Sequence, residues 1–309
     1  MTNTKHFFII NPEAGKTDVS ERIINEIQKV FKDKSESYEV YITKGENDAT
    51  KFAKNVCETN NGNLRFYACG GDGTLNEVIN GVVGFDNASV SVIPYGTGND
   101  FINNFKSNIN FYDIEKQIES NEEKIDLLKV NNKYAINLCN IGFDAKVANN
   151  MTKFKKIPFL NGQGVYTLSV FYSLLNKMHS YFNISIDDKE NIEGDFLICV
   201  IANGMTYGGG YRGTPLAKIN DGLIDVCIFK KVSRFKLLKL INIYKRGEHL
   251  ENEEMKKYFI YRKCKTININ SEKKLTVCID GEILLEKNIN VTVENNAINF
   301  LVSHKNIIL

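Results

Sequence analysis

Short apolar segments alternate with segments of helical periodicity along roughly the first 125 residues of this chain. Between the apolar segments, the spacing of Ile23, Ile27 and Phe31 places them on one face of a helix, and 48–57 and 75–83 also read as helices. Because parallel strands need helical crossovers that cover the sheet, this rhythm predicts an α/β domain with a parallel sheet. The predicted strands are Phe7–Ile10, Tyr38–Ile42, Leu64–Cys69 and Val90–Pro94.

From about Asp126 the pattern changes, and strand candidates follow one another with only two longer predicted helices, Val165–Leu175 and Phe235–Tyr244. This favours a largely antiparallel, β-sandwich-like second domain. We therefore predict domains over 1–125 and 126–295, and the final strand, near 296–309, could complete the first domain. The strand candidates are Leu127–Val130, Ala135–Cys139, Phe182–Ile186, Phe196–Ala202, Leu223–Phe229, Thr266–Ile269, Leu275–Ile279, Val291–Val293 and Ile298–Val302.

Composition excludes several classes of protein. Thirty-nine Lys and Arg against 37 Asp and Glu leave a net charge of +2, which argues against a nucleic-acid-coating protein. No apolar run reaches the roughly 18–20 residues of a membrane-spanning helix. The seven cysteines are too far apart for paired metal or redox motifs, and the four histidines are equally scattered. We expect a cytoplasmic protein whose cysteines are buried and reduced, with no nucleic-acid partner.

The strongest local signal is the glycine-rich segment Gly70–Glu77, which follows a predicted strand and opens a predicted helix. Glycines let the backbone turn tightly and approach a ligand closely, and the free N–H groups of a helix start favour an anion such as phosphate. Thr74 and Glu77 also have the spacing of a capping box. No packing role is evident for Asp72 inside this loop, which favours a functional interpretation over an ordinary turn.

Two further loops have a similar character: Pro94–Phe101, with the sequence PYGTGNDF, and Asn11–Thr17, with the sequence NPEAGKT. All three would lie at the carboxyl edge of a parallel sheet, where ligands bind. Ile10 stands where a Walker A motif needs glycine, and Asn76 stands where a dinucleotide-binding GxGxxG motif needs its third glycine. The sequence therefore predicts a polyphosphate site that is neither a P-loop nor a Rossmann site.

Together these loops resemble the catalytic domain of the diacylglycerol kinase and sphingosine kinase superfamily, and most of all its soluble bacterial lipid kinases. The likeness extends over nearly the whole chain, since Ile125–Leu127, Gly208–Gly210, Lys218–Leu223 and Asp280–Glu282 fit as well. It implies ATP-dependent phosphoryl transfer to a lipid hydroxyl, with diacylglycerol the leading acceptor and phosphatidic acid the product.

The resemblance also implies residue roles. Glu282 would be the general base, and Asp72 would contact the catalytic metal or the acceptor hydroxyl. A structural Mg²⁺ would bind the Asp221 carboxylate and the backbone carbonyls of Lys218 and Leu223, a donor set that suits a hard cation. The implied ATP-binding residues are Asn11, Pro12, Gly15, Lys16, Thr43, Gly70, Gly71, Asp72, Gly73, Thr74, Asn76 and Thr97.

The segment Asp280–Glu282 could have a purely structural role in place of a catalytic one. Asp280-Gly281 is a common residue pair of type I′ turns, so the segment could be a plain hairpin. The two interpretations are compatible, because a tight turn can also aim a carboxylate that takes a proton from a hydroxyl.

The basic segment Ser233–Arg246 predicts a helix with Leu237, Leu240, Ile241 and Tyr244 on one face. That face could lie on an anionic leaflet, or it could pack on the β domain with the lysines in water. A second basic cluster, within 153–160, is another candidate for peripheral membrane contact. A homodimer is left open.

Two other functions remain at this stage. An NAD kinase-like or other non-lipid kinase would share the GGDGT loop, although the GTGND loop fits lipid kinases better. A nucleotide- or lipid-binding protein without catalysis would have no need of Asp72, Asp221 and Glu282 together. The identity of the lipid stays open among diacylglycerol, phosphatidylglycerol, sphingoid bases and undecaprenol-like alcohols.

Overall fold

A computed structural model describes residues 4–15, 17–107, 109–154, 157, 162–303 and 309. The chain forms two compact units: unit 1 comprises 1–127, 218–221 and 294–309, and unit 2 comprises 128–217 and 222–293. An α/β unit at the N-terminus and a β-rich unit after it agree with the predicted fold class.

The regular elements are as follows. The strands are β1 (Thr4–Ile10), β2 (Ser37–Ile42), β3 (Asn63–Gly70), β4 (Ala88–Pro94), β5 (Asn121–Val130), β6 (Lys133–Ala135), β7 (Leu138–Gly142), β8 (Ser180–Ile186), β9 (Glu190–Ala202), β10 (Ile224–Lys230), β11 (Phe259–Cys264), β12 (Thr266–Ile279) and β13 (Glu282–Val302). The helices are α1 (Ser20–Phe31), α2 (Asp48–Thr59), α3 (Asp72–Val82), α4 (Ile114–Ile118), α5 (Phe143–Phe154), α6 (Gly162–Leu175), α7 (Arg234–Arg246) and α8 (Glu253–Lys256).

Unit 1 is built on neighbouring parallel strands. β1 pairs in parallel with β2 and with β3, and β3 pairs in parallel with β4. Asn299 and Phe300, near the end of β13, pair in parallel with β4, and this last part of the chain groups with unit 1. The strands β1, β3 and β4 are buried almost throughout, as expected for a sheet covered by helices on both faces.

The predicted capping box at the start of α3 is wrong. The Glu77 carboxylate instead accepts hydrogen bonds from the backbone N–H groups of Asn47 and Ala49, at 3.0 and 3.2 Å. Those groups belong to the start of α2, whose own N-cap side chain makes no capping bond. Glu77 therefore caps the neighbouring helix, because α2 and α3 lie side by side and the open N–H groups of α2 attract a carboxylate.

Unit 2 is antiparallel. β9 pairs antiparallel with β7, β8 and β10, β10 with β11, and β12 with β7 and β8 and with the first part of β13. Successive side chains of β9 enter different cores: Cys199 and Ile201 join one cluster, and Ile198 and Val200 join another. This alternation is the normal consequence of the pleat when both faces of a sheet are covered.

Several predicted boundaries in unit 2 are wrong. The predicted strand Ala135–Cys139 is interrupted, and its parts belong to β6 and β7. The segments Thr266–Ile269 and Leu275–Ile279 form the single strand β12, with a register shift between Asn270 and Leu275. The last two predicted strands likewise merge into β13, and β11 and α5 were not predicted.

Helix α7 packs with its apolar stripe against the sheet of unit 2. Leu237, Leu240 and Tyr244 are buried in the same cluster as Val200 and Phe229. The interpretation in which this stripe packs on the β-rich unit is therefore confirmed for these residues. In the described part of the chain, no helix combines the length and the apolar character needed to cross a bilayer. All seven cysteines are buried and unpaired.

Two buried histidines predict loss of stability in acid. Burial lowers the pKa of His6, in unit 1, and that of His249, in unit 2, from 6.5 to about 4 in each case. Protonation is thus easier in the unfolded chain, so stability is fully present above about pH 6.5 and is lost as the pH falls through about 4. We expect each histidine to account for up to about 3 kcal/mol of this loss.

Urea unfolding measured across this pH range tests the prediction. The difference between the wild type and His249→Gln isolates one imidazole from the carboxylates that titrate in the same range, and His6→Gln does so for unit 1. Each variant should lose stability less steeply in acid than the wild type. An unchanged slope in either variant would contradict the assignment for that histidine.

Candidate functional site

Three loops of unit 1 meet where neighbouring parallel strands end. We call them loop 1 (residues 11–17, after β1), loop 2 (residues 70–77, after β3) and loop 3 (residues 94–101, after β4). Asn11 N–H donates to the Cys69 carbonyl at 3.0 Å, and Tyr95 N–H donates to the Gly70 carbonyl at 2.9 Å. Thr43, at the end of β2, donates its N–H to the Ile10 carbonyl at 2.9 Å and is buried. The loops thus share one edge of the sheet, as predicted from their positions after strands.

The backbones of these loops approach too closely for side chains. A Cβ atom built at Gly96 would overlap the Cα of Gly71 and would lie 2.7 Å from Asn99 Oδ1. Gly15 has a φ of +82°, and a Cβ there would lie 2.6 Å from the Tyr95 carbonyl oxygen. The contacts between the loops therefore require glycine at Gly15 and Gly96.

Asp72 joins loop 2 to loop 3. Its Oδ2 accepts the N–H of Asp100 at 3.0 Å, and its Oδ1 accepts the N–H of Phe101 at 3.1 Å. The idea that Asp72 lacks a packing role is therefore wrong: both carboxylate oxygens hold the end of loop 3. Asn11 links loop 1 to loop 2 in the same way, since its Nδ2 donates to Thr74 Oγ1 at 3.1 Å.

Asn99 was not among the predicted site residues, yet it shapes loop 3. Its φ is 52°, and its Nδ2 donates to the carbonyls of Pro94 and Gly96 at 3.0 and 2.8 Å. Its Oδ1 is buried and has no hydrogen-bond partner among the described residues. The position of Asn99 next to glycines could have indicated its role from the sequence, because Asn tolerates left-handed backbone and forms hydrogen bonds with nearby backbone groups.

The start of α3 is open toward solvent. Gly71 is its N-cap residue and no side chain caps this end within the described chain, so the first N–H groups of the helix can bind an anion. Gly73 is exposed, and a Cβ there would meet nothing within 4 Å. Thr97 is also exposed, whereas Asn76 is buried and its carbonyl accepts a bond from Asn80 Nδ2 at 2.9 Å.

Pro12 and Lys16 are the two remaining predicted ATP-binding residues of loop 1. Pro12 is half-buried beside Asn11, whose Oδ1 accepts the N–H of Glu13 at 3.0 Å. Lys16 lies outside the described residues.

The predicted metal segment, Lys218–Leu223, forms a turn with Gly222 at a φ of 69°. Lys218 and Asp221 are exposed, while Ile219 is buried and its carbonyl accepts the N–H of Asp126 at 2.7 Å. One carboxylate and two backbone carbonyls within six residues offer only oxygen donors, which fits Mg²⁺ completed by water. The described residues contain no cluster of three or more His, Cys, Asp or Glu that could hold a metal, so any ion here would depend on such carbonyls.

Glu282 lies in unit 2, directly after the β12–β13 turn. Ile279 pairs with Glu282, and the two turn residues Asp280 and Gly281 have φ values of 43° and 95°. Such a two-residue turn with positive φ at both positions is the predicted type I′ geometry. The Glu282 carboxylate forms an ion pair with Lys133, and the Glu282 side chain is about one third exposed.

Asp280 fastens this turn to the segment between β6 and β7. Its Oδ2 accepts the N–H groups of Ile136 and Asn137 at 2.7 and 3.2 Å, and its Oδ1 accepts that of Leu138 at 2.8 Å. This clamp explains why the predicted strand 135–139 is interrupted, because its amides serve the carboxylate and not a neighbouring strand. We infer that Asp280 positions Glu282.

Removal of this clamp should be costly. We expect Asp280→Ala to lower the free energy of unfolding by about 3 kcal/mol, because three backbone N–H groups lose a charged acceptor and alanine disfavours positive φ. Asp280→Asn is the matched control: it tolerates the turn and keeps one acceptor oxygen, so we expect roughly half the loss. Chemical denaturation measures both, and equal stability of Asp280→Ala and the wild type would refute the clamp.

Comparison with protein families identifies both parts of the chain. A family model described as "Diacylglycerol kinase catalytic domain" matches residues 5–130. A second, described as "YegS C-terminal NAD kinase beta sandwich-like domain", matches residues 137–302.

Curated relatives have consistent names. A Staphylococcus epidermidis protein named "Putative lipid kinase" is 30% identical over 285 residues, which are 90% of this chain and 90% of that protein. A Staphylococcus aureus protein with the same description is 33% identical over 239 residues, 76% of each chain. One from Staphylococcus haemolyticus is 29% identical over 299 residues, covering 95% of this chain and 94% of the relative.

Solved structures share the fold. A crystal structure described as a "putative diacylglycerol kinase" from Bacillus anthracis superposes with a TM-score of 0.73 at 23% identity, covering 96% of both chains. An NAD kinase from Archaeoglobus fulgidus, solved in complex with ATP, gives a TM-score of 0.51 at 10% identity and covers 98% of this chain and 94% of its own. At these identities the likeness concerns the fold alone.

Proposed function

Because this chain belongs to the diacylglycerol kinase-like family of lipid kinases, we propose that it transfers the γ-phosphoryl group of ATP to a lipid hydroxyl, most of all that of diacylglycerol. The observation that carries this proposal is the meeting of loops 1, 2 and 3 at the open start of α3. Phosphoryl transfer needs close backbone donors around the phosphates and few covalent steps by the protein.

The residues would divide the work as follows. Loops 1 and 2 and the α3 N-terminus would bind the ATP phosphates, and the bonds from Asp72 to the amides of Asp100 and Phe101 would keep loop 3 in place. Glu282, held by Lys133, would accept the proton of the acceptor hydroxyl. Mg²⁺ at Lys218, Asp221 and Leu223 would supply a fixed positive charge that stabilises this turn.

An assay with labelled ATP, Mg²⁺ and a total lipid extract tests the proposal, with the product identified by its mass. We expect a phosphorylated lipid, and purified diacylglycerol should give phosphatidic acid. Phosphorylation of another lipid alcohol would correct the acceptor but keep the reaction.

Two outcomes would replace the proposal. Phosphorylation of NAD but of no lipid would identify a non-lipid kinase, which the shared fold of the Archaeoglobus NAD kinase makes a definite alternative. Tight ATP binding without transfer to any acceptor would identify a nucleotide-binding protein.

A further inference from the structure

Helix α6 in unit 2 exposes large apolar side chains on its outward side. Its buried side combines apolar residues such as Val165 with two serines: Ser169 donates to the Val165 carbonyl at 2.7 Å, and Ser173 accepts from Asn150 Nδ2 at 2.9 Å. Its outward side carries Phe171 and Leu175, which are 59% and 65% exposed. The helix contains no charged residue. A helix whose outer face meets water normally carries charged or polar residues on that face.

The first turns of α7 add to the same apolar surface. Phe235 is 81% exposed and Leu238 is 55% exposed, although both belong to a helix whose opposite stripe is buried. Arg234, the first residue of α7, donates to the carbonyls of Leu174 and Asn176 at 2.5 and 3.2 Å, so the end of α6 and the start of α7 are in contact. We call the exposed apolar set the α6–α7 surface. It consists of Phe171, Tyr172, Leu175, Phe235 and Leu238.

Basic residues predominate along α7 beside this surface. Between Lys230 and Arg246 there are seven Lys and Arg residues and no Asp or Glu. Arg234, Lys239 and Lys245 are exposed on α7, and Lys177 is exposed just after α6. Exposed aromatic and aliphatic side chains set among cations match the interface of an anionic bilayer, where the apolar groups enter the acyl region and the cations meet the headgroups.

We propose that the α6–α7 surface docks this protein on an anionic lipid bilayer. This inference rests on the proposed function, since it supplies the contact through which a lipid kinase reaches its acceptor. It replaces the predicted docking of the Leu237, Leu240 and Tyr244 stripe, which is buried. In the second basic cluster, Lys153 is exposed, but 155–156 and 158–160 lie outside the described residues.

A second copy of the chain is a poorer occupant. A symmetric dimer brings the same patch of both subunits together. The exposed Arg234, Lys239 and Lys245 would then face their own copies, and α7 itself contains no Asp or Glu. Like charges set against each other across an interface disfavour association, whereas anionic headgroups neutralise them.

Cosedimentation with vesicles tests the surface independently of catalysis. The wild type should bind vesicles that contain phosphatidylglycerol better than pure phosphatidylcholine vesicles, and added salt should weaken the binding. The double variant Phe235→Ser, Leu238→Ser should lower the partition coefficient by about tenfold or more, because two apolar side chains no longer leave water. Lys239→Gln should lower it by about fivefold, and only for anionic vesicles.

Leu285→Ser is the matched control. Leu285 is 55% exposed, like Leu238, but lies on β13 outside the α6–α7 surface, so this variant should bind vesicles as the wild type does. Melting temperatures of all variants should agree, since each changed side chain is exposed. Undiminished binding by the double variant, or equal binding to neutral and anionic vesicles, would overturn the proposal. Light scattering that shows a dimer lost in the double variant would overturn it too.

A second assay separates this inference from the proposed function. Phosphoryl transfer is measured with a short-chain, water-soluble acceptor kept below its micelle concentration. The double variant should retain wild-type turnover there and lose activity only on vesicles. No transfer by the wild type would refute the proposed function. The cosedimentation experiment would still test the α6–α7 surface, because it does not depend on catalysis. Normal transfer together with unaffected vesicle binding would refute the docking surface alone.

Discussion

Glu282→Gln is expected to lower the turnover number of lipid phosphorylation by about 10²–10⁴-fold. The amide has the shape of the carboxylate but cannot accept a proton from the acceptor hydroxyl as it attacks. The ion pair with Lys133 is partly exposed to solvent, and such pairs contribute at most about 1 kcal/mol to stability. The variant should therefore fold normally and bind ATP with unchanged affinity.

Lys133→Gln is the control for this experiment. It removes the same ion pair but leaves the carboxylate, so turnover should fall far less than in Glu282→Gln. Steady-state kinetics with the lipid acceptor and a thermal unfolding curve are the measurements. Equal turnover of Glu282→Gln and the wild type would show that the proton leaves by another route and would remove the assignment of Glu282.

Gly96→Ala is expected to have the largest effect among changes in the loops. The new Cβ would overlap the Cα of Gly71 and lie 3.1 Å from the Gly71 nitrogen, and backbone atoms cannot change rotamer to make room. Loops 2 and 3 would have to separate. Forced overpacking typically costs about 1–3 kcal/mol, and we expect the upper end of that range. ATP binding should weaken by at least about tenfold, since the displaced amides no longer converge.

Two alanine variants serve as comparisons for Gly96→Ala. Gly45 and Gly73 both have open space where a Cβ would lie. Gly45→Ala should change neither stability nor ATP affinity. Gly73→Ala should leave the melting temperature unchanged or raise it slightly, because alanine favours a helix, yet it should weaken ATP binding if phosphate approaches this turn. Titration calorimetry and thermal unfolding measure both quantities. If Gly96→Ala melts like Gly45→Ala, the close approach of the loops is not required.

Sequence reasoning worked best where structure depends on near neighbours. The strands β1 to β4 and the helices α1 to α3 were found because apolar runs, helical spacing and glycines act within a few residues. The three loops of unit 1 were found for the same reason. The Asp280-Gly281 turn was also predicted, because its conformation follows from the preference of these two residues for positive φ.

Prediction failed where a distant partner decides the outcome. Glu77 has the spacing to cap its own helix, but it caps α2, because the open amides of Asn47 and Ala49 lie beside it. The segment 135–139 is apolar enough for a strand, but it is interrupted by the carboxylate of Asp280, far away in the chain. The polar residues between Asn270 and Leu275 suggested a break in β12, although backbone pairing continues there after a shift of register.

The amino-acid order alone determined the two-part architecture, the three glycine-rich loops and, through the resemblance that these loops carry, the lipid kinase family, because these depend on short-range backbone preferences and on motifs read in sequence. The tertiary structure alone decided the surroundings of individual side chains: that Asp72 holds loop 3, that Lys133 pairs with Glu282, and that Phe171 and Tyr172 of α6 are exposed. Such contacts join residues tens to more than a hundred positions apart. They are set by the packing of whole elements, about which a local pattern carries no information.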